Sequence, residues 1–458
     1  MAAKKKANKK HEKVDKEPKV KKVVLPKLSD EKILQAIPKS IGGNEAAASL
    51  LHPGPPNGPS GPTLHKALAE FMSHQNEKAG HKVIAFASDV PNTYALRRPS
   101  GIMQLDMDTG GGLPSGGLSY IGGPDNAGKT FLVLNYMLMH QKLYGPSSAL
   151  AFGCVEGGFD FARALNMGLK IAVPDEIIDQ WDRARVLQGM PGYTKEEWAH
   201  FKEKTGEFVI LRGSTGEELL DTTLAAIGSK IFGIIALDSI SAVLPEADSE
   251  KDMGDHSARA SNANLVTKFI THYLPLTTGL DGINTTTTIF TSQVRANQDR
   301  ANFPSSMQKY IKKWEATGAH SARHAKLVDI SVWDGEKIKK TISGKDTTIG
   351  KATKYELMKG KAGTHDNITG EYPFYYQSWL PQGVDMQESV IITGMKRGVI
   401  IENKGMFSVI NPTTGEFTDI HGIPGYDTFK RMMELDFDFE LVVRRQVLAS
   451  KDISCLYR

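Results

Sequence analysis

Apolar and polar positions along this chain alternate with the two periods that mark helices and strands. From about residue 97 to 383, short apolar runs are separated by stretches with helical spacing. The predicted strands are Leu118–Ile121, Ala149–Val155, Phe208–Leu211, Ile231–Leu237, Thr287–Ser292, Leu327–Trp333 and Tyr355–Met358. Strands that alternate with helices in this way predict an α/β fold, with a largely parallel, twisted sheet and helices on both faces.

A smaller helix–strand pair precedes this core. Thr63 can cap a helix in which Leu68 and Phe71 recur at helical spacing, and Gly80 ends it. Lys82–Phe86 then has the apolar composition of a strand. A pair this small does not fold alone, so we expect it to pack on the core or on another subunit.

Shifts in composition divide the chain into four predicted regions. Residues 1–62 form a basic tail and a Pro/Gly linker, 63–96 the helix–strand pair, 97–383 the core, and 384–458 a small α/β domain. In the linker, Pro53–Pro62, eight of ten residues are Gly or Pro. The C-terminal region is expected to hold a helix near Asp385–Thr393, a strand at Gly398–Ile401 and a hairpin around Asn411–Gly415.

The net charge of +4 is unevenly distributed. Residues 1–28 hold eleven lysines against three acidic residues, so this tail carries +8 and the remainder of the chain −4. A segment so rich in lysine does not form a packed core, and it can hold polyanions weakly. The alternative is a tail that only keeps the protein soluble.

Composition also bounds the compartment. The two cysteines, Cys154 and Cys455, argue against a disulfide framework and fit a reducing environment. No apolar run is long enough to span a bilayer, and the N-terminus lacks the apolar segment of a signal peptide. We therefore expect a cytoplasmic protein that does not associate with membranes.

The strongest motif is a complete G-x-x-x-x-G-K-[ST] loop between a predicted strand and a predicted helix, Phe131–His140. Its residues are Gly123, Pro124, Asp125, Asn126, Ala127, Gly128, Lys129 and Thr130. In such a loop the backbone N–H groups surround a phosphate, the lysine reaches the β/γ-phosphates and the hydroxyl ligates Mg²⁺. The alternative, a glycine turn before a buried helix, leaves Lys129 without a function.

Two acidic residues at strand ends complete this chemistry. Asp238 ends an apolar strand and is the type of residue that holds the Mg²⁺ shell in P-loop enzymes; the alternative is a surface acid. Glu156 follows the strand Ala149–Val155 and can orient an attacking water; the alternative is a helix-capping acid.

Gln293 ends a further buried strand, where its amide can report whether a γ-phosphate is present. A basic segment follows, with a net charge of +5 between residues 295 and 326. Its proposed nucleic-acid contacts are Arg295, Arg300, Lys309, Lys312, Lys313 and Trp314. Basic side chains neutralise phosphates and aromatic rings stack on bases; the alternative is a solvated helix over Met307–Ala316.

Six motifs, in order, closely resemble the RecA recombinases. They are the run Gly101–Thr130, Val155–Asp160 as the catalytic-glutamate segment, Leu237–Ala242 as the second Mg²⁺ motif, Ser292–Arg295 as the γ-phosphate sensor, Thr317–Ala319 as the end of the second DNA-binding loop, and Met358–Lys361. The resemblance extends from roughly residue 62 to 440.

The resemblance implies a helical filament on single-stranded DNA, with ATP and Mg²⁺ at each subunit interface. Lys359 and Lys361 would reach the neighbouring subunit's ATP, Asp160 and Phe161 would contact the adenine, and the helix–strand pair would be an oligomerisation arm. Arg259 and Gly318 would lie in the DNA-binding surface, with a first DNA loop in Pro245–Ser257.

The implied function is a DNA-dependent ATPase that pairs single-stranded DNA with homologous duplex DNA and exchanges strands, in recombination and DNA repair. The long N-terminus, the extended basic segment before Thr317 and the shortened adenine region depart from the bacterial pattern. They indicate a divergent member, and a phage-encoded one resembling UvsX is one interpretation. Two alternatives stay open: a ring-forming helicase or branch-migration motor, and a non-catalytic mediator that binds ATP as a clamp.

Overall fold

The architecture is that of a computed structural model, which describes residues 62–90, 96–145, 148–155, 157–171, 175–202, 207–246, 258–280, 283–296, 314–316, 320–342, 344–361, 366–376 and 383–451. Its helices are α1 (Pro62–Ala79), α2 (Met103–Asp108), α3 (Lys129–Tyr144), α4 (Phe161–Asn166), α5 (Asp175–Leu187), α6 (Lys195–Lys202), α7 (Gly216–Ser229), α8 (Ala258–Thr278), α9 (His320–Ala325), α10 (Met386–Lys396), α11 (Tyr426–Leu435) and α12 (Phe437–Ala449).

The first strands are β1 (Arg97–Arg98), β2 (Leu113–Pro114), β3 (Leu118–Gly123), β4 (Ala149–Cys154), β5 (Phe208–Leu211), β6 (Phe232–Asp238) and β7 (Thr287–Ala296). They are followed by β8 (Trp314–Ala316), β9 (Lys326–Ile342), β10 (Lys345–Gly360), β11 (Thr369–Tyr375), β12 (Ile400–Asn403), β13 (Met406–Val409) and β14 (Ile423–Pro424). Single 3₁₀ turns lie at Ala87–Asp89 and Ile240–Ala242.

The central sheet has the strand order β11-β10-β9-β3-β7-β6-β4-β5, and β8 pairs with β7. The six strands from β9 to β5 in this order are parallel to one another, while β10 runs antiparallel to both of its neighbours. Parallel strands are buried on both faces, which explains their nearly continuous apolar runs. The predicted α/β fold with a largely parallel sheet is confirmed.

Helices cover both faces of this sheet. On one face α3 is buried almost all round, with Val133, Tyr136 and Met137 fully covered. On the other face α7 and α8 contribute Ile227 and Phe269 to a second core cluster. Because α3 begins directly after β3, its N-terminus is fixed at the carboxyl edge of the sheet.

A third core lies in the C-terminal region. There α10, α11 and α12 pack with α2 and the antiparallel sheet β12-β13-β14. The predicted helix and strand of this region are confirmed as α10 and β12, and the turn at Asn411–Gly415 joins Ile410 to Phe417 through a β-bridge. The domain boundaries themselves stay predictions.

Residues 1–78 and 79–458 form two separate units, so α1 lies almost wholly in the first. The helix predicted from Thr63 is confirmed, but the strand predicted at Lys82–Phe86 is wrong: these residues belong to no strand of the described sheets. An apolar pattern indicates only that the side chains favour burial, whereas a strand also requires a neighbouring strand to pair with. The described part of the chain holds no helix with the length and apolarity that crossing a membrane requires.

The strands predicted at Leu327–Trp333 and Tyr355–Met358 are confirmed as the inner parts of β9 and β10, which continue outward as a long hairpin. One further expectation is corrected. The helix considered over Met307–Ala316 is wrong at its end, because Trp314–Ala316 is a strand. Residues 307–313 lie outside the described residues.

Candidate nucleotide site

The glycine-rich loop joins β3 to α3 at the carboxyl edge of the sheet. A Cβ on Gly123 would lie 2.4 Å from the carbonyl oxygen of Val332, so β3 and β9 leave room for glycine alone. Gly128, just before α3, has a φ of 95°, a conformation that other residues avoid. The loop therefore turns directly into the helix, and its N–H groups and the helix dipole meet at one place.

Lys129 lies across the mouth of this loop. Its Nζ donates to the carbonyl oxygens of Gly123, at 3.0 Å, and Pro124, at 2.9 Å. The side chain is buried although it carries a charge. An ammonium held by two carbonyls at the loop entrance is placed where a bound phosphate would attract it.

Oxygen ligands suited to Mg²⁺ lie beside the loop. Thr130 Oγ1 donates to Asp238 Oδ2 over 2.5 Å, and Thr291 donates to the other carboxylate oxygen. Mg²⁺ favours one or two carboxylate or hydroxyl oxygens together with substrate phosphates. The described residues contain no cluster of three or more His, Cys, Asp or Glu side chains that could hold a metal by themselves.

These groups line one cleft of about 800 Å³. Gln293 enters it from β7, where it is the register partner of Gly123, and its N–H donates to Ser241 Oγ over 3.2 Å. Cys154, at the end of β4, forms another part of the wall, and burial raises the pKa of its thiol to about 11. The thiol is therefore protonated at neutral pH and does not act as a nucleophile.

A cluster of lysines lies at the opposite, amino edge of the same sheet. Lys359 is the cross-strand partner of Asp329, and Lys326 Nζ donates to the same carboxylate. Lys361 Nζ donates to the carbonyl oxygen of His324 over 3.1 Å. Burial lowers the pKa of Lys359, and the charges of Lys361 and Lys326 lower it further, against the opposing effect of Asp329. Three lysines, Lys326, Lys359 and Lys361, therefore place their positive charges close to one another at this edge.

No family model matches the chain. Curated relatives do. Protein RecA of Geobacter sulfurreducens is 22% identical over 358 residues, which cover 73% of this chain and 88% of that protein. Protein RecA of Zymomonas mobilis is 25% identical over 310 residues, 68% of this chain and 71% of that protein. That of Rickettsia canadensis is 24% identical over 352 residues, 77% and 85% of the two chains.

The chain is thus similar to RecA proteins at 22–25% identity over roughly three quarters of its length. The resemblance seen in the sequence is thereby confirmed. Identities of 22–25% leave the roles of single residues as predictions, and the geometry shows only which of those residues lie together.

The cleft brings together most of the residues predicted for ATP and Mg²⁺. Its lining includes Asp125, Asn126, Gly128, Lys129, Thr130, Asp160, Asp238 and Gln293. Asp160 also caps α4 through the N–H of Arg163. Phe161 does not contribute to the lining, and Phe159 and Arg163 of the same segment do. Glu156 lies outside the described residues, between Val155 and Gly157.

The predicted DNA contacts are described only in part. Arg259 is in the first turn of α8, Arg295 is in β7, and Trp314 in β8 is the register partner of Ala296. Arg295 and Trp314 are thus both at the carboxyl edge of β7, within three residues of Gln293. The remaining predicted contacts lie outside the described residues: Arg300, Lys309, Lys312, Lys313 and Gly318.

Among the cleft residues that sequence reasoning missed, four come from a distant part of the chain. Asp334 and Lys351 come from the outer part of the β9–β10 hairpin, and Phe374 and Tyr376 come from β11 and its end. Phe374 packs edge-on against Phe131, with ring centroids 4.7 Å apart. The alternation of buried residues along Lys351–Leu357 was a usable signal for this strand, but nothing in the sequence paired it with the loop.

Proposed function

We propose that this protein is a DNA-dependent ATPase that assembles as a helical filament on single-stranded DNA. The filament would pair that DNA with a homologous duplex and exchange strands. Its similarity to RecA proteins supports a role in recombination and DNA repair. The cleft and the lysine cluster support the more specific steps.

Nucleotide binding is supported by the chemistry of the cleft. Lys129 and the loop N–H groups suit the β- and γ-phosphates, while Thr130 and Asp238 would hold Mg²⁺ against them. The aromatic faces of Phe374 and Tyr376 suit a base, since every base can stack on a ring. When bound, Mg²⁺ would neutralise charge that develops on the transferring phosphate.

The observation that carries the assembly proposal is the position of the lysine pair. Lys359 and Lys361 resemble the family's phosphate-reaching lysines, yet they lie towards the amino edge of the sheet. β3 pairs with β9 over five residues, Leu118 to Gly122, and Lys359 is level with Tyr120, three residues or roughly 10 Å before Gly123. A second copy could present its lysines to the first copy's cleft, and such head-to-tail contacts generate open helices.

Coupling to DNA is supported by β7. Gln293 faces the cleft, and the basic segment begins two residues later at Arg295. A change at the γ-phosphate can therefore reach the segment along one strand. Contacts to the DNA backbone would dominate affinity, so binding should weaken steeply with salt.

The deciding experiment compares ATP turnover by the full-length protein with and without single-stranded oligonucleotide. We expect stimulation of at least about tenfold, because DNA brings the lysine pair of one copy to the cleft of the next, and a transition-state cation is worth that much or more. Electron micrographs should show open helical filaments. A turnover indifferent to DNA would remove the recombinase proposal, and closed rings would favour the motor alternative.

A further inference from the structure

Lys351 is a buried cation on the outer side of the glycine-rich loop. Its Nζ donates to the carbonyl oxygen of Asn126 and to Asp334 Oδ1, both at 2.5 Å. The residue is 8% exposed, while the Asp334 side chain is 57% exposed. Buried lysines are rare and require compensation, so a specific role for this contact is indicated.

The strand geometry explains how Lys351 reaches the loop. On β10, Lys351, Thr353, Tyr355 and Leu357 alternate with half-exposed residues and lie on one buried face. Of these four residues, Lys351 lies nearest to the turn of the β9–β10 hairpin. Its position on the antiparallel hairpin brings it back to the carboxyl edge, beside the loop.

The loop residue that Lys351 contacts, Asn126, has an unfavourable backbone conformation. Asn126 has a φ of 61°, in the left-handed region. This conformation is unfavourable for residues other than glycine, although asparagine tolerates it better than most. Lys129 holds the carbonyls of Gly123 and Pro124 at the start of the loop, whereas Lys351 holds the carbonyl of Asn126 further along.

The two lysines differ in what a nucleotide would require of them. Lys129 would turn from the loop carbonyls towards the β/γ-phosphates. Lys351 donates to a carbonyl while the loop N–H groups serve the phosphates, so its contact does not compete with a nucleotide. It can hold the loop both before and after binding.

We propose that Lys351, neutralised by Asp334, is a positioning residue that keeps the glycine-rich loop in its phosphate-binding shape. The inference rests on the proposed nucleotide binding and adds to it a residue from a distant part of the chain. Lys351 does not touch the reacting phosphate, so it should govern affinity rather than the chemical step.

The test uses Lys351→Met in the full-length protein, with Lys354→Met as the matched control on the half-exposed face of the same strand. Affinity for a fluorescent ADP with Mg²⁺, without DNA, should fall about tenfold in Lys351→Met, or about 1.4 kcal/mol. It should change less than about twofold in the control. In DNA-stimulated turnover, KM should rise about tenfold with kcat unchanged, the pattern of lost uniform binding. Lys351→Arg, which keeps charge and donors, should restore affinity.

A second readout does not need nucleotide. Amide hydrogen exchange at residues 123–130 should be faster in Lys351→Met than in the wild type or the control, because the loop opens more readily. Unchanged ADP affinity and exchange in Lys351→Met, or a lower kcat at constant KM, would overturn the proposal. Should Lys351→Met not fold, Lys351→Gln is judged by the same readouts. A wild type that binds no ADP would instead refute the proposed function.

Discussion

The two edges of the central sheet hold charge in different ways. At the carboxyl edge, charged and polar groups are arranged in partnered sets: Asp238 accepts from two hydroxyls and Lys351 is matched by Asp334. At the amino edge, Lys326 and Lys359 share Asp329, and the charge of Lys361 acts on Lys359. In the proposed function, the carboxyl edge receives the phosphates of a nucleotide and the amino edge supplies cations to the cleft of a neighbouring copy.

This difference shows how two copies of one chain could together form a single nucleotide site. Interfaces between different surfaces of identical subunits repeat indefinitely unless they close into a ring. If each interface completes one nucleotide site, turnover depends on assembly, and whatever promotes assembly controls turnover. Substituting a lysine at one edge or at the other should therefore have different consequences for nucleotide affinity and turnover.

Removing the carboxyl-edge cation should have the largest effect. Lys129→Ala deletes the ammonium that lies across the loop mouth, and we expect turnover to fall by about a thousandfold, the upper range for losing one phosphate-stabilising donor. Nucleotide affinity of the isolated protein should fall as well. Fluorescent-nucleotide titration and steady-state turnover measure the two losses, and intact nucleotide affinity would show that the cleft is not the phosphate site.

Removing an amino-edge cation should have a smaller and more selective effect. Lys359→Met is expected to lower DNA-stimulated turnover by about a hundredfold, while affinity for nucleotide in the absence of DNA stays within about twofold. Lys354→Met, on the same strand, serves as the control. Equal losses of affinity and turnover would place Lys359 in its own copy's cleft and erase the distinction between the edges.

The smallest effect concerns protonation near the amino edge. His140 on α3 is buried, its Nε2 lies 2.6 Å from Ser148 Oγ, and burial, aided by the charge of Arg98, lowers its pKa to about 3. In the unfolded chain His140 binds a proton near pH 6.5, whereas in the folded protein it stays neutral down to a pH of about 3. The stabilising contribution of neutral His140 is therefore complete above pH 6.5 and is lost as the pH falls from there towards 3.

We expect this group to contribute a slope of up to about 1.4 kcal/mol per pH unit in the free energy of unfolding. Urea unfolding at pH 7, 6 and 5 should show a flatter dependence in His140→Asn than in the wild type. Parallel pH dependences would mean that His140 accepts a proton in the folded protein and that the amino edge tolerates further positive charge.

The inner strands could be predicted from sequence because each is an apolar run buried on both faces. The outer hairpin could not. Its strands mix Lys and Thr with isolated isoleucines, and β11 contains Pro373, which is compatible with an edge strand but weakens a strand prediction. At Lys82–Phe86 the same apolar pattern predicted a strand that the described sheets do not contain.

The candidate site divides along the same line. The loop, Thr130 and Asp238 were predictable because short spacings and strand ends fix them at one edge. Lys351, Asp334, Phe374 and Tyr376 enter the cleft through pairings of β10 and β11 that no local pattern specifies. The amino-edge position of Lys359 depends likewise on β10 running antiparallel to β9, which the sequence does not state.

The central claim is that one copy's cleft works with the next copy's lysines. Two variants test it together: Lys129→Arg, which keeps a charge but not the ammonium geometry, and Lys359→Met. Each should be nearly inactive alone. In an equal mixture on single-stranded DNA, random head-to-tail assembly should place an intact cleft against intact lysines at about a quarter of interfaces, and turnover should recover to about that fraction. A mixture no more active than its components would contradict the account.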